Sequence, residues 1–299
     1  MPDVFSSTAL AESRVLVTGG GSGLGRAIAQ RLAAHGAEVH VWGRRRNALE
    51  ETVAAVEAGG GHAFAQTVDV RDPEAVDAGM ASLFDRHGPL TGVVNGAAAN
   101  FVARTEDLSP RAFDAVTSTV MRGSYFVTTA AGRRWISQGL PGSVVSLLTT
   151  WVWTGSAFTV PSAMAKAAVH AMTMSLAVEW ARHSIRVNAV APGPVPTEFA
   201  WDVLDPGDAG PNRMPVATEA EGVPAGRHGT AEEVAHVVLF LLSDAAPYLT
   251  GDTIAVDGGQ HLAGPGTFAG LRALTPEDWT ALRDRARRAD SASRGDRSV

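Results

Sequence analysis

A doubly wound α/β domain, with a parallel sheet of about seven strands between two layers of helices, is the fold class this sequence predicts. Three observations point to it. Short β-branched runs alternate with longer segments of helical period from near the N-terminus almost to residue 260, the pattern of β–α units that bury a parallel sheet on both faces. A glycine-rich turn, Gly19 to Gly25, joins the first strand run to the first helical run. The 299 residues, 45% hydrophobic and 19% charged, suffice for one large core of ordinary globular composition.

Taken in order, the strand runs fall at 14–18, 38–42, 62–68, 91–95, 143–148, 186–191 and 253–256. Each is short and rich in Val, Ile, Thr or Ala. Helical period marks 24–35, 48–58, 73–87, a long pair within 110–137, then 162–182 and 231–243. Strand twist then makes the crossovers right-handed. Residues 1–13 read as an N-terminal extension, 14–260 as the domain, and 261–299 as a C-terminal extension with one amphipathic helix at 276–289. The stretch 197–226 is rich in Pro, Gly and Asp and follows a strand end, the place of a ligand-covering lid. A solvated surface loop is the plainer alternative.

Composition excludes several classes. A net charge of −6 argues against sequence-independent nucleic-acid binding. With no cysteine there are no disulfides, thiolate nucleophiles or cysteine zinc sites. The N-terminus lacks a basic segment followed by an apolar run, and no stretch approaches the ~20 apolar residues that span a bilayer, so the expectation is a cytoplasmic chain without membrane contact. The histidines show no His-Glu-x-x-His or similar spacing, so no metal site is expected.

The turn Gly19-Gly20-Gly21-Ser22-Gly23-Leu24-Gly25 lies between a strand and a helix, the setting that gives a glycine run meaning as a Rossmann-like dinucleotide site. Gly19 permits the sharp turn, Gly23 lets a pyrophosphate approach the backbone, and Gly25 lets helix and sheet pack closely. The end of the second strand selects the cofactor. NAD sites usually carry Asp or Glu there; this chain has Gly43, Arg44, Arg45 and Arg46. Guanidinium can clamp a 2′-phosphate that a carboxylate would repel, so NADP(H) is expected.

These motifs resemble the short-chain dehydrogenase/reductase superfamily over about residues 14–260. The resemblance rests on Thr18 to Gly25, Asn95-Gly96-Ala97-Ala98, Lys166, Pro192-Gly193-Pro194 and Asp257-Gly258-Gly259. It implies that Asp69 and Val70 meet the adenine. It places Asn95, Gly96 and Ala97 along the cofactor, and Pro192, Gly193, Pro194, Val195 and Thr197 near the nicotinamide. Within the superfamily the chain is similar to the 2,4-dienoyl-CoA reductase branch, through the runs 95–101, 105–110 and 154–166, Ala177-Val178-Glu179-Trp180, and 271–279. Family members usually assemble as tetramers, so the resemblance implies a homo-oligomer built on the helices at 110–137 and 162–182. The Ala163, Ala167, Ala171, Met174 face suits close packing between chains, and fits an intrachain core equally well.

Most of the superfamily uses Ser, Tyr and Lys, with Tyr four residues before Lys. Here Ser162 stands there and Thr149 takes the usual Ser position. Branch relatives of this form often carry the Tyr upstream, which here corresponds to Trp151. The two tyrosines, Tyr125 and Tyr248, match no active-site position. Indole donates one hydrogen bond but is no acid near neutral pH, so reduction of a simple ketone suffers most from the exchange. Reduction of a conjugated thioester needs donors for an enolate oxygen instead. Asn100, at the place of the branch's active-site Asn, could supply one; Trp151 N–H or Ser162 O–H could supply another. Asn100 reads equally as a turn residue and Ser162 equally as a helix N-cap. Trp151 and Trp153 also suit the walls of a substrate pocket. Lys166 would hold the nicotinamide ribose.

The expected activity is therefore NADPH-dependent reduction of a dienoyl or enoyl thioester, on CoA or a carrier protein. A reductase of another small molecule and a cofactor-binding protein without redox activity are the alternatives.

Overall fold

The computed structural model describes residues 4–100, 102–197, 220–264 and 275–278. Seven strands form one sheet: β1 (Arg14–Thr18), β2 (Glu38–Gly43), β3 (His62–Thr67), β4 (Gly92–Asn95), β5 (Gly142–Leu147), β6 (Ile185–Pro192) and β7 (Thr253–Val256). Their order is β3-β2-β1-β4-β5-β6-β7 and every pairing is parallel. The winding reverses between β1 and β4, which opens a crevice beyond the carboxyl ends of those two strands.

Strand alternation sorts the core onto two faces. Val15, Val17, Val39, Val41, Val94 and Val145 point to one side and are covered by Ile28, Ala29 and Leu32 of α1 (Gly23–Ala34), Leu49 and Val56 of α2 (Arg46–Ala58) and Val234, Val238 and Leu239 of α8 (Ala231–Leu242). Arg31 and Glu232 form an ion pair between α1 and α8. Leu16, Trp42, Val93, Val144 and Val187 point to the other side. There they meet α3 (Pro73–His87), α5 (Gly123–Gln138) and α7 (Val160–Trp180) through Met80, Leu83, Val127, Trp135 and Ala177.

Element bounds follow the expected ones closely, and the departures have local causes. The long pair at 110–137 is α4 (Pro110–Thr117) and α5, joined by a π-helical turn, Ser118–Arg122. Capping sets α3: Asp72 accepts from the N–H groups of Glu74 and Ala75, with Pro73 at the first position. Two short helices had no counterpart in the expected elements, α6 (Trp151–Thr154) and α9 (Gln260–Ala263).

The chain divides into two units, Met1–His261 and Leu262–Val299. Of the expected lid, 198–219 lies outside the described residues, and of the expected helix at 276–289 only Pro276, Glu277 and Asp278 are described, as helix. Among the described residues no helix is long and apolar enough to cross a membrane.

Candidate active site

The glycine-rich turn sits at the reversal point. Gly19 and Gly23 have φ of +70° and +51°, in the left-handed region that only glycine enters without strain. A Cβ on Gly25 would stand 2.3 Å from the Gly19 carbonyl oxygen, and one on Gly19 would stand 2.7 Å from that of Gly96. The turn is thus pressed between α1 and the loop after β4. The first turn of α1 carries no acidic residue, and Ser22 does not cap it with its side chain. Its leading N–H groups and positive dipole end suit an anion. Leu24, half-buried, packs against the core beneath.

The α2 side of the turn is braced by contacts that the linear motif does not reveal. Thr52 Oγ1 donates to the Gly20 carbonyl at 2.9 Å, and Arg26 Nη2 donates to Gly21 O at 2.9 Å and Glu51 Oε2 at 2.8 Å. A Cβ on Gly21 would meet Ala48 at 3.2 Å. Arg44 and Arg45 are exposed at the rim, and Arg45 Nη2 donates to Ser22 Oγ at 3.2 Å. Asp69 is held by Arg71, which donates from its backbone N–H and from Nε and Nη2 to both carboxylate oxygens. Those hydrogen bonds keep the Asp69 carboxyl below its usual range, and the Arg44 charge adds to the effect. Val70 is buried against Gly123.

On the other side, Thr18 Oγ1 accepts from the N–H groups of Gly96 and Ala97 at 3.1 and 3.2 Å. Asn95 Nδ2 donates to Thr128 Oγ1 at 2.8 Å and Ser146 Oγ at 3.2 Å, while its buried Oδ1 has no partner. Its amide therefore ties β4 to β5 and α5. Pro192 ends β6; Gly193 lies where a Cβ would meet Asp257, and Pro194 O accepts from Gly229 N–H. Val195 is buried. Thr197 reaches the glycine turn, 3.3 Å from where a Gly23 Cβ would stand.

The residues expected to do chemistry gather around α7. Lys166 is buried, its Nζ donating to the Leu147 carbonyl at the end of β5 at 2.5 Å. Burial pushes its pKa down to about 8. Thr149 Oγ1 is buried without a hydrogen-bond partner. Trp151, half-buried, begins α6, which packs against α7. Ser162 is 3% exposed and lies in the first turn of α7. It does not occupy the cap position: Pro161 is tolerated inside the first turn, so the helix starts earlier and Thr159 stands at the N-cap. Asn100 follows β4, half-buried, and Phe101 lies outside the described residues. α4 through Val116 and the π-turn through Val120 reach this group, packing with Ala99 on Ala165 beside Lys166. Such turns recur at functional sites.

Sequence reasoning missed two features. Thr159 Oγ1 is buried and unpartnered, beside Phe158 with its positive φ of 64°. Asp257 accepts from His261 Nδ1 at 2.6 Å and from the N–H groups of His261 and Gly259, and the His261 ring lies 4.8 Å from that of Trp153. Burial opposes ionisation of Asp257, but those hydrogen bonds hold its carboxyl below the usual range. The Asp-Gly-Gly motif names Asp257; the four-residue step to His261 was the available signal.

The residues present fit a dinucleotide: a glycine cradle that any Cβ would fill, an uncapped helix N-terminus, and guanidinium at the rim.

Comparison with known proteins agrees with this geometry. A family model described as enoyl-(acyl carrier protein) reductase matches residues 19–261. A Bacillus subtilis protein named "Probable 2,4-dienoyl-CoA reductase [(2E)-enoyl-CoA-producing]" is 39% identical over 83% of this chain and 96% of its own length. One from Caenorhabditis elegans, "Probable 2,4-dienoyl-CoA reductase 3 [(3E)-enoyl-CoA-producing]", is 40% identical over 89% of this chain and 86% of its own. Among solved structures, a gluconate 5-dehydrogenase from Burkholderia cenocepacia in complex with NADP and tartrate superposes with a TM-score of 0.77, at 28% identity, covering 85% of this chain and 97% of that one.

Proposed function

The chain belongs to the short-chain dehydrogenase/reductase superfamily, and from that premise we propose that it is an NADPH-dependent reductase of a conjugated acyl thioester, dienoyl or enoyl. The observation that carries the cofactor choice is Arg45 bonded to Ser22 of the glycine turn, with Arg44 beside it and no acid at that end of β2. The relatives named as dienoyl-CoA reductases support the substrate class.

When bound, NADPH would supply the hydride, to a carbon remote from the thioester carbonyl. The chain's own residues do the rest. Charge collects on the thioester oxygen as an enolate and needs donors fixed in place before it forms. Asn100, the Trp151 indole N–H and the hydroxyls of Ser162 and Thr149 are the candidates. Lys166 holds a positive charge at the end of β5 and binds ribose hydroxyls. A carbon of the enolate takes its proton from water, so no residue with the acidity of a phenol is required. Asp69 and Val70 would border the adenine, Asn95, Gly96 and Ala97 would form the floor, and Pro192 to Thr197 would line the nicotinamide end.

Chains associate through α4, α5 and α7. Of the expected face on α7, Ala167, Ala171 and Met174 are exposed and Ala163 is half-buried; Val178 continues the exposed stripe, and Phe113, Met121 and Tyr125 are exposed on the neighbouring helices. Exposure of that stripe supports a symmetric homo-oligomer over an intrachain core.

NADPH oxidation measured against a panel of dienoyl- and enoyl-CoA thioesters tests the activity. Turnover of at least one supports it; no turnover with any of them, despite NADPH binding, favours a second reading motivated by Trp151, a family member that binds the cofactor without redox chemistry.

A further inference from the structure

We propose that Glu38, His40 and His87 form a binding site for a single zinc-type transition-metal ion at the opposite end of the sheet from the cofactor crevice. The site comes from the fold rather than from a local motif. Glu38 and His40 are two residues apart on β2 and so share one face, the face covered by α3, whose last residue is His87. Among the described residues, one carboxylate oxygen and one ring nitrogen from each histidine lie within 4.8 Å of one another. His40 Nε2 stands 2.9 Å and His87 Nδ1 3.6 Å from the same Glu38 oxygen. Ligand atoms about 2.1 Å from a tetrahedral zinc stand about 3.4 Å apart, so these separations bracket what the ion demands.

The rings are held before any ion arrives. Phe64, which pairs with His40 across the β2–β3 ladder, stacks on its ring at 5.3 Å and 19°, and packs against His87 at 4.3 Å. The two imidazoles meet edge to face at 4.6 Å. His40 is buried, whereas Glu38 and His87 are half-exposed, leaving an open side for water as the fourth ligand. Two imidazoles and a carboxylate suit zinc, copper or nickel rather than magnesium or calcium. The six residues of β2 put the site roughly 17 Å from the arginine rim, so the ion clamps β2 to α3 and takes no part in hydride transfer. Arg14 competes with the ion for the carboxylate, its Nε standing 3.7 Å from the same Glu38 oxygen.

The test uses untagged full-length protein stripped with chelator. Zinc is titrated by calorimetry, and cobalt(II) is followed by visible absorption as a reporter of tetrahedral geometry. One equivalent is expected. His87→Ala should weaken it by more than the roughly 10–100-fold that loss of a mere supporting partner costs, Glu38→Gln should also weaken it, and Arg14→Gln should tighten it. NADPH binding in all three variants should be unchanged. No zinc binding by the parent, or binding unaltered in both His87→Ala and Glu38→Gln, overturns the site and assigns any bound ion to others of the nine histidines.

Discussion

Arg45 at the start of α2 donates a hydrogen bond to Ser22, 23 residues earlier, at the start of α1. That contact closes the glycine turn with a guanidinium instead of a capping hydroxyl, and it fixes a positive charge beside an uncapped helix N-terminus. Two cationic features converge on one point of the crevice rim, where an anion is most stabilised.

Lys166 should reveal a conflict between stability and function. Burial lowers its pKa from 10.5 to about 8, so the folded chain holds that proton less tightly than the unfolded chain does. Between about pH 8 and 10.5 the unfolded state binds more protons, and this residue's contribution to stability therefore rises with pH across that window. Lys166→Met should abolish that rise and leave the denaturation midpoint at pH 7 unchanged or higher, while NADPH oxidation is lost. Urea denaturation at pH 7 and about pH 9.5 measures it; a strongly destabilised variant at pH 7 would contradict the account.

Trp151→Tyr separates the two kinds of reduction. A phenol can protonate a developing alkoxide, a step worth on the order of 100-fold or more to ketone reduction. Thioester reduction, which needs only donors to the enolate, should change by less than about tenfold. Steady-state rates on a ketone panel and a dienoyl-CoA panel decide it. A parent inert on every thioester, with a variant that reduces them, would mean that the parent is no reductase of this kind.

Gly25→Ala should damage fold and site together. Its Cβ would stand 2.3 Å from Gly19 O, a backbone atom that cannot step aside. A cost of about 1–3 kcal/mol in thermal or chemical unfolding is expected, with NADPH affinity falling in parallel. Gly60→Ala is the control, since nothing lies within 4 Å of a Cβ there, although its φ of +81° carries some backbone strain.

The start of α8 depends on a reciprocal cap. Thr230 Oγ1 accepts from Glu233 N–H, and Glu233 Oε2 accepts from Thr230 N–H. Thr230→Ala should cost about 1 kcal/mol in denaturant titration. Hydrogen bonds from Arg227 and from Thr230 lower the Glu233 pKa to about 2. Its contribution is therefore complete above the ordinary carboxylate range near 4.5 and is lost as pH falls toward 2. The acid limb of the stability profile should flatten in Glu233→Gln.

Local signals carried most of the fold into view. β1, β7 and α3 have the bounds that β-branched runs and the Asp72–Pro73 cap indicate. The π-turn at Ser118–Arg122 was not legible, because a shift of hydrogen-bond register leaves no mark in apolar spacing. The glycine motif located the crevice, since each glycine there answers a steric demand that a sequence can display. What the motif could not display was register between distant strands. Asn95 closes β4, and its Nδ2 ties that strand to Thr128 on α5 and Ser146 on β5, partners from other elements that the local run does not announce. The Glu38–His40–His87 group escaped for the same reason, as its third member arrives from another element.

Guanidinium at the end of β2 is proposed to select the phosphorylated cofactor, and the decisive comparison is calorimetric titration of NADPH and NADH into the parent and an Arg44→Ala/Arg45→Ala variant. Charge-assisted hydrogen bonds contribute about 1.5–3 kcal/mol each, so the parent should prefer NADPH by at least roughly tenfold and the double variant should lose that preference while keeping its NADH affinity. Equal affinity for the two cofactors in the parent, or a preference for NADPH that survives in the variant, would contradict it.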